Sequence, residues 1–314
     1  MSAKVISEPA NASVDIVLVH GWCGEEQPWT RGQGKDAVCW PESILPALAP
    51  RARIVTFIYD AKVDRFWAAK RDNDIDTISE DLLWELQEVR SKTKTTKRPV
   101  IFVAHSIGGL VCENALVMAS NGSPADKELG KLVQRFALIG TPSHADKGLW
   151  AETGEKFFQL CGESSRAAAV RDDLKKSEKL AEIGENFQAF VQSRTAPGAF
   201  EVACFYEGMA TKMGKTRVVI VDESAVKIPG CRNPSRLEAN HQGMAEAASK
   251  NDAHFKRLSR VLVRWAEELG NVEGDDELVR NQFNATFHGE NRGFQLGQNT
   301  GTINDVRFGA EPAN

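Results

Sequence analysis

The chain has 314 residues, of which 42% are hydrophobic and 26% charged, and its formal net charge is −4. This composition supports a buried globular core, and the lack of a long basic run argues against nucleic acid as a partner. The N-terminal stretch lacks the apolar run of a signal peptide, and no segment has the roughly 18 consecutive apolar residues of a membrane-spanning helix. We therefore expect a cytoplasmic protein. Its six cysteines form no Cys-x-x-Cys pair, so we expect reduced thiols and no metal site.

Short apolar runs recur along the chain and alternate with helical patterns. Runs at 14–21, 52–60 and 98–106 predict buried parallel strands. Further runs continue the series at 135–141, 200–207 and 217–221. Apolar stripes at helical spacing lie between or after them, from Ile75 to Val89 and from Phe255 to Leu269. The alternation predicts an α/β fold with a mostly parallel sheet that helices cover on both faces.

Two regions depart from this alternation. The segment 145–199 is rich in Lys, Glu and Ala with scattered Phe, which predicts a helical insertion. Because ligands bind at the carboxyl ends of the strands in such sheets, we expect the insertion to form a lid there. After Leu269 the composition becomes acidic and polar. We therefore predict a domain over 1–270, a linker over 271–282 and a separate tail.

The sequence A-H-S-I-G at 104–108 is a variant of the G-x-S-x-G nucleophile elbow, with Ala104 in place of the first glycine. A predicted strand precedes it and a predicted helix follows, which is the context of this motif in the α/β-hydrolase fold. Ser106 is therefore the predicted nucleophile. The backbone amides of Ile107 and Trp22 are the predicted oxyanion-hole donors, since Trp22 follows the first strong strand.

The base and the acid follow from chain order, because this fold places the acid and then the histidine after the serine. Three histidines come late enough: His241, His254 and His288. His241 lies on a loop between a short strand and a helix, and it is the predicted base. Glu207 ends the run at 200–207 and is the preferred acid, with Glu223 as the alternative. This chemistry needs no cofactor and no metal.

Several motifs occur in a characteristic order: H-G-W at 20–22, A-H-S-I-G-G-L at 104–110, I-G-T-P at 139–142 and A-N-H-Q-G-M at 239–244. Together they resemble the lipase-like hydrolase domains common in fungi, with the mitochondrial SERAC proteins as more distant relatives. The resemblance implies serine esterase or lipase activity on an ester or lipid substrate. A membrane surface is a further candidate partner.

The tail has a period of two, with the pattern G-x-N-x-G-x-Q-x-G-x-N-x-G at 289–301. Copies stacked in register could pair every backbone group and form Asn and Gln ladders, as in cross-β fibrils. The segment 283–310 resembles the sigma amyloid-signalling motif of fungal prion-like systems. That resemblance implies self-association, templating by a NOD-like receptor with a matching motif, and an effector role in regulated cell death or incompatibility.

Two alternatives remain open at this point. In the first, the tail is a passive disordered extension on a housekeeping carboxylesterase. In the second, the hydrolase domain is catalytically idle and serves as an interaction or membrane-disrupting module.

Overall fold

The computed structural model describes most of the first 281 residues. The described ranges are 1–21, 27–61, 73–143, 147–160, 178–194, 196, 199–213 and 215–281.

A seven-stranded sheet forms the centre of the fold. Its strands are β1 (Ser2–Ser7), β2 (Val14–Val19), β3 (Ala52–Ile58), β4 (Val100–His105), β5 (Val133–Ile139), β6 (Glu201–Glu207) and β7 (Ser235–Leu237). Their spatial order is β1-β3-β2-β4-β5-β6-β7. Every neighbouring pair is parallel except the edge pair of β1 and β3.

The longer helices are α1 (Asn73–Lys92), α2 (Gly108–Asn121), α3 (Pro124–Leu132), α4 (Lys147–Leu160), α5 (Glu178–Ser193) and α6 (Ala253–Asn281). Two four-residue helices, Trp40–Ser43 and Leu45–Leu48, precede β3. Within the described residues, no helix combines the length and the apolar character that crossing a membrane would need.

Helices cover both faces of the sheet, as the sequence predicts. Val17 and Val19 of β2 belong to a core cluster with residues of α1, α2 and α5. The alternate residues Ile16 and Leu18 belong to a second cluster with the residues of α6 from Phe255 onward. Successive side chains of a strand point to opposite faces, so one continuous apolar run supplies both cores. The fold is that of the α/β hydrolases.

The structure corrects one predicted strand and adds another. The run 217–221 is no strand of the main sheet: Thr216–Val218 pairs antiparallel with Thr211–Met213 in a separate hairpin. The amides of Ile220 and Val221 instead donate to the Glu207 side chain, so they are not available to a strand ladder. The edge strand β1 is the addition, and its mixed polarity gives no strong local signal.

The predicted insertion contains helices α4 and α5. Helix α6 continues to Asn281, so most of the predicted linker is helical. The chain divides into two compact units, Met1–Gly270 and Asn271–Asn314. The predicted amyloid motif at 283–310 lies outside the described residues.

Candidate active site

Ser106 directly follows β4 and has a φ of +56°. Residues other than glycine rarely adopt this left-handed conformation, which costs on the order of 1–3 kcal/mol. Two hydrogen bonds hold it: the Ser106 amide donates to the Ile139 carbonyl at 2.8 Å, and the Thr141 hydroxyl donates to the Ser106 carbonyl at 2.9 Å. The serine thus sits in the strained strand-to-helix turn that the motif predicts.

Close backbone approach at this turn requires glycine. A Cβ at Gly108 would lie 2.5 Å from the carbonyl oxygens of both Val19 and His20, which is too close for any side chain. A Cβ at Gly21 would lie 2.6 Å from the Ser106 Cβ. Helix α2 can therefore begin directly against the end of β2, with Ile107 at its N-cap. Amides in the first turn of a helix lack intrahelical acceptors, so the Ile107 position suits an oxyanion donor.

His20 fixes the loop that follows β2. Its Nε2 accepts a hydrogen bond from the Tyr59 amide at 3.4 Å, so its Nδ1 donates to the Gly21 carbonyl at 2.8 Å. The Tyr59 hydroxyl donates to the His20 carbonyl at 2.6 Å. Burial lowers the pKa of His20, which favours this neutral form. Trp22, the other predicted oxyanion donor, lies outside the described residues.

Glu207 and His241 are buried and directly bonded to each other. The His241 Nδ1 lies 2.9 Å from the Glu207 Oε1. The same carboxylate accepts amide hydrogen bonds from Val221 at 2.8 Å and from Ile220 at 3.1 Å. Since a carboxylate can only accept, Nδ1 carries the proton and Nε2 is left with a free lone pair. This is the tautomer that a general base requires.

The imidazole of His241 lies beside the elbow. The backbone carbonyl of His241 accepts a hydrogen bond from the Nε2 of His105 at 2.9 Å. The centroids of the two imidazole rings are 5.0 Å apart. Burial, with a smaller contribution from His241, lowers the pKa of His105 to about 3, so His105 is a neutral donor. A Cβ at Gly140 would lie 3.1 Å from the His241 Cε1. The carbonyl of the preceding residue, Ile139, accepts a hydrogen bond from the Ser106 amide.

The two atoms that would exchange a proton are both buried. Within the described part of the chain, neither the Ser106 Oγ nor the His241 Nε2 has a hydrogen-bond partner. Hydrogen bonds between nucleophile and base are often long before substrate binds. The site therefore holds an unpaired hydroxyl and an unpaired basic nitrogen at the same end of the sheet.

The alternative acid and the other histidines have different partners. Glu223 opens a short 3-10 helix, Glu223–Val226, and its carboxylate accepts a hydrogen bond from the exposed Tyr206 hydroxyl at 3.2 Å. His254 donates to the Glu246 carbonyl at 2.7 Å. His288 lies outside the described residues. The structure thus brings Glu207 to His241 and leaves Glu223 in an exposed pair.

Comparison with known proteins gives similarities over both parts of the chain. Residues 281–305 match the family described as the SesB domain on fungal death-pathway protein. The zebrafish (Danio rerio) protein SERAC1 is 25% identical over 268 residues, which cover 79% of this chain and 38% of that protein. Human SERAC1 is 24% identical over 286 residues, 84% of this chain and 41% of that protein. The chain therefore spans about two fifths of the length of these relatives. The chain is thus similar to SERAC1 over most of its length and to the SesB domain over residues 281–305.

Solved structures that are similar to this chain include hydrolases. One of two fungal esterases from Rhizomucor miehei has a TM-score of 0.49 and 12% identity, covering 87% of this chain and 84% of that one. A monoglyceride lipase variant from Saccharomyces cerevisiae has a TM-score of 0.44 and 12% identity, covering 85% and 90%.

Phe157 also lies at the candidate site, although no sequence motif assigns it a role. It comes from α4 in the predicted insertion, and its ring meets the His241 imidazole edge-on at 4.8 Å. The Ser106 side chain has no exposed surface. The scattered Phe of segment 145–199 was the available signal, but it could not identify which ring meets the histidine. Among the described residues, no cluster of three His, Cys, Asp or Glu side chains could hold a metal ion.

Proposed function

We propose that this chain is a serine ester hydrolase with Ser106 as nucleophile, His241 as general base and Glu207 as the acid that orients it. The observation that carries the proposal is the buried contact from Glu207 to the His241 Nδ1, beside a serine held at a positive φ. An isolated buried carboxylate would be costly. Glu207 has three hydrogen-bond donors aimed at it, as an ionised carboxylate in this position requires.

In the proposed reaction, the Ser106 Oγ attacks the acyl carbon while the His241 Nε2 takes the hydroxyl proton. Glu207 accepts a hydrogen bond from the protonated Nδ1 throughout, which fixes the tautomer and stabilises the imidazolium. The imidazolium then protonates the leaving alcohol, and water repeats the sequence to release the acid. The amides of Ile107 and Trp22 are the proposed donors to the oxyanion.

An ester or lipid is the proposed substrate class, because the α/β-hydrolase fold and the resemblance to fungal lipase-like domains both favour acyl transfer. A membrane surface is a candidate site of action for a lipid substrate. We assign the activity to the cytoplasm, and we assign no cofactor.

The SesB match at 281–305 supports a role in a fungal death pathway. We propose that the tail, 283–310, self-associates and is templated by a NOD-like receptor with a matching motif. The hydrolase would then be the effector that amyloid signalling brings into action in regulated cell death or incompatibility.

Labelling with a fluorophosphonate probe tests the hydrolase. Such probes form a covalent bond with an activated serine, so the wild-type chain should be labelled and should hydrolyse short-chain esters. Ser106→Ala should lose both, with turnover reduced at least about a thousandfold. Ser43→Ala is the control, because Ser43 is exposed and its hydroxyl donates to the Cys39 carbonyl at 2.8 Å.

Labelling of the chain, together with assembly of its tail, separates the alternatives. An unlabelled wild-type chain that is folded by circular dichroism would point to an idle interaction or membrane-disrupting module. Equal labelling of wild type and Ser106→Ala would remove Ser106 from its role. A labelled chain whose tail never assembles would point to a housekeeping carboxylesterase.

A further inference from the structure

Two cysteines lie together at β6, the strand that carries Glu207. Cys204 is buried on β6, three residues before Glu207, and Cys231 is half-buried in the turn that leads to β7. Cys204 belongs to the core cluster against which Cys231 packs, and the two thiols interact closely enough for each to shift the pKa of the other. They are 27 positions apart in the sequence, so the fold and not local spacing produces the pair.

The backbone holds Cys231 in place against β6. The preceding Gly230 has a φ of +84°, and a Cβ there would lie 2.9 Å from the Val202 Cγ2. The Cys231 amide donates to the Ile228 carbonyl at 3.1 Å. The turn is therefore seated on the strand that carries Cys204, with no room for a side chain between them.

The surroundings of Cys231 favour a thiolate. Interaction with the Cys204 thiol, followed by the backbone amides of Cys204 and Asn233, lowers the pKa of Cys231 to about 7. The pKa of Cys204 is raised, mainly by its interaction with Cys231 and then by burial. Cys231 is thus the more acidic member of the pair.

Cys231 is also accessible. It lines a cleft of about 770 Å³ together with the basic residues Lys227 and Arg232. A low-pKa, accessible thiol beside a second thiol is the arrangement that redox-sensing cysteines use. Of the other described cysteines, Cys112 is buried and its pKa is raised well above the usual value by burial.

We propose that Cys231 and Cys204 form a redox-active pair that closes to a disulfide when a peroxide oxidises the chain. The Cys231 thiolate attacks one peroxide oxygen, the O–O bond breaks, and Cys231 becomes a sulfenic acid while hydroxide leaves. The Cys204 thiol then attacks the Cys231 sulfur, the S–O bond breaks and water leaves. In total, two thiols lose two electrons and two protons, and one peroxide becomes two waters.

Peptide mapping of the full-length chain tests the proposal. The chain is treated with hydrogen peroxide, its remaining thiols are blocked, and it is digested without reductant for mass spectrometry. We expect the Cys204 and Cys231 peptides to appear joined, lighter by two hydrogens than their sum, and to separate after reduction. Cys39→Ala is the matched control, because Cys39 is a half-buried free thiol elsewhere, and the cross-link should form in it as in wild type.

Two further measurements distinguish the pair from incidental oxidation. In Cys204→Ala, Cys231 should stop at the sulfenic acid and be trapped by dimedone. The alkylation rate of Cys231 in the reduced wild-type chain should rise with a midpoint near pH 7. The disulfide closes a loop in the unfolded chain, so oxidation should raise the midpoint of thermal unfolding by about 5 °C.

The proposal is overturned if peroxide leaves both thiols free, or if either cysteine is recovered joined to a different one. If Cys204→Ala fails to fold, peptide mapping of the wild-type chain decides by itself. Because neither thiol belongs to the proposed triad, these outcomes are independent of whether the chain hydrolyses esters.

Discussion

At the scale of single residues, the site depends on Ser106 being held in a conformation that its own backbone disfavours. The strain is offset by interactions on both sides, since the Ser106 amide and carbonyl are each bonded to the segment Ile139–Thr141. That segment also touches His241 through Gly140. The same short stretch at the end of β5 therefore lies against both the proposed nucleophile and the proposed base.

The choice of acid gives a prediction at this scale. Glu207→Gln keeps the shape of the side chain but removes the carboxylate that orients the His241 imidazole. We expect kcat to fall by roughly 10⁴, because a neutral amide can stabilise the wrong tautomer. Ester hydrolysis by the purified variant, measured against wild type at the same pH, checks this.

Glu223→Gln is the matched control, because it removes a carboxylate only 16 positions away that bonds an exposed tyrosine hydroxyl. We expect its kcat to stay within about threefold of wild type, because exposed polar contacts contribute little. A larger loss in Glu223→Gln than in Glu207→Gln would reassign the acid to Glu223.

At the scale of secondary-structure elements, a buried charge cluster joins α1 to the sheet at the end opposite the site. Asp15 of β2 accepts from Arg53 of β3 at 2.9 and 2.7 Å, and also from Arg90 of α1. Arg98, just before β4, donates to the same carboxylate at 3.1 Å. Asp15, Arg53 and Arg90 are buried. The Asp15 carboxylate thus links β2, β3, α1 and the connection to β4, the strand that precedes Ser106.

This cluster gives a stability prediction. Asp15→Asn leaves three guanidinium groups around a neutral amide, with the partly exposed Glu8 still within reach of Arg53 and Arg98. Breaking a buried ion pair from one side costs about 3–5 kcal/mol. We expect the free energy of unfolding to fall by about that much, measured by urea denaturation with an unchanged m-value. The change lies at the amino ends of the strands, so the esterase activity of the fraction that stays folded should be retained.

The exposed pair of Lys97 and Glu128 provides the control for this prediction. Its two charges are 2.8 Å apart, and both side chains reach solvent. Glu128→Gln should leave the unfolding free energy almost unchanged, because solvent screens exposed ion pairs. Equal losses in both variants would mean that the buried cluster contributes no more than a surface contact.

At the scale of the whole molecule, the tail and the hydrolase-fold domain differ in the interactions that their sequences can form. The domain buries apolar surface on both faces of its sheet. The tail alternates Gly with Asn and Gln, so it has too few large apolar side chains to build a core of its own. Stacking in register can still satisfy its backbone and amide groups.

A peptide covering 283–310 should therefore form fibrils with a strand spacing of about 4.7 Å, measured by fibre diffraction. Replacing Gly293 and Gly297 by Pro removes backbone donors and fixes φ, which is incompatible with a continuous ladder. The double variant should stay monomeric and resist seeding by wild-type fibrils. In the full-length chain it should leave ester hydrolysis unchanged.

The tail is only a passive extension if the wild-type peptide stays monomeric at high concentration. The same conclusion holds if the proline variant assembles equally well. Either result would remove the signalling half of the proposed function and leave the hydrolase half to be judged on Ser106.

The sequence by itself determined the features that depend on local order. Buried parallel strands read as continuous apolar runs, so the central strands and the doubly covered sheet could be predicted. The elbow motif named Ser106 because a strand, a small residue and glycines must follow one another there. The same rule of chain order selected His241, although its role and that of Ser106 stay predictions.

Only the tertiary structure decided the contacts between residues far apart in the chain. It placed Glu207 against His241 and left Glu223 with Tyr206, a choice that two acids near the same strand could not settle locally. It also excluded 217–221 from the main sheet and placed Cys231 beside Cys204. Local patterns record which side chains are buried, but partners across long loops are selected by how the packed elements meet, which no short stretch of sequence encodes.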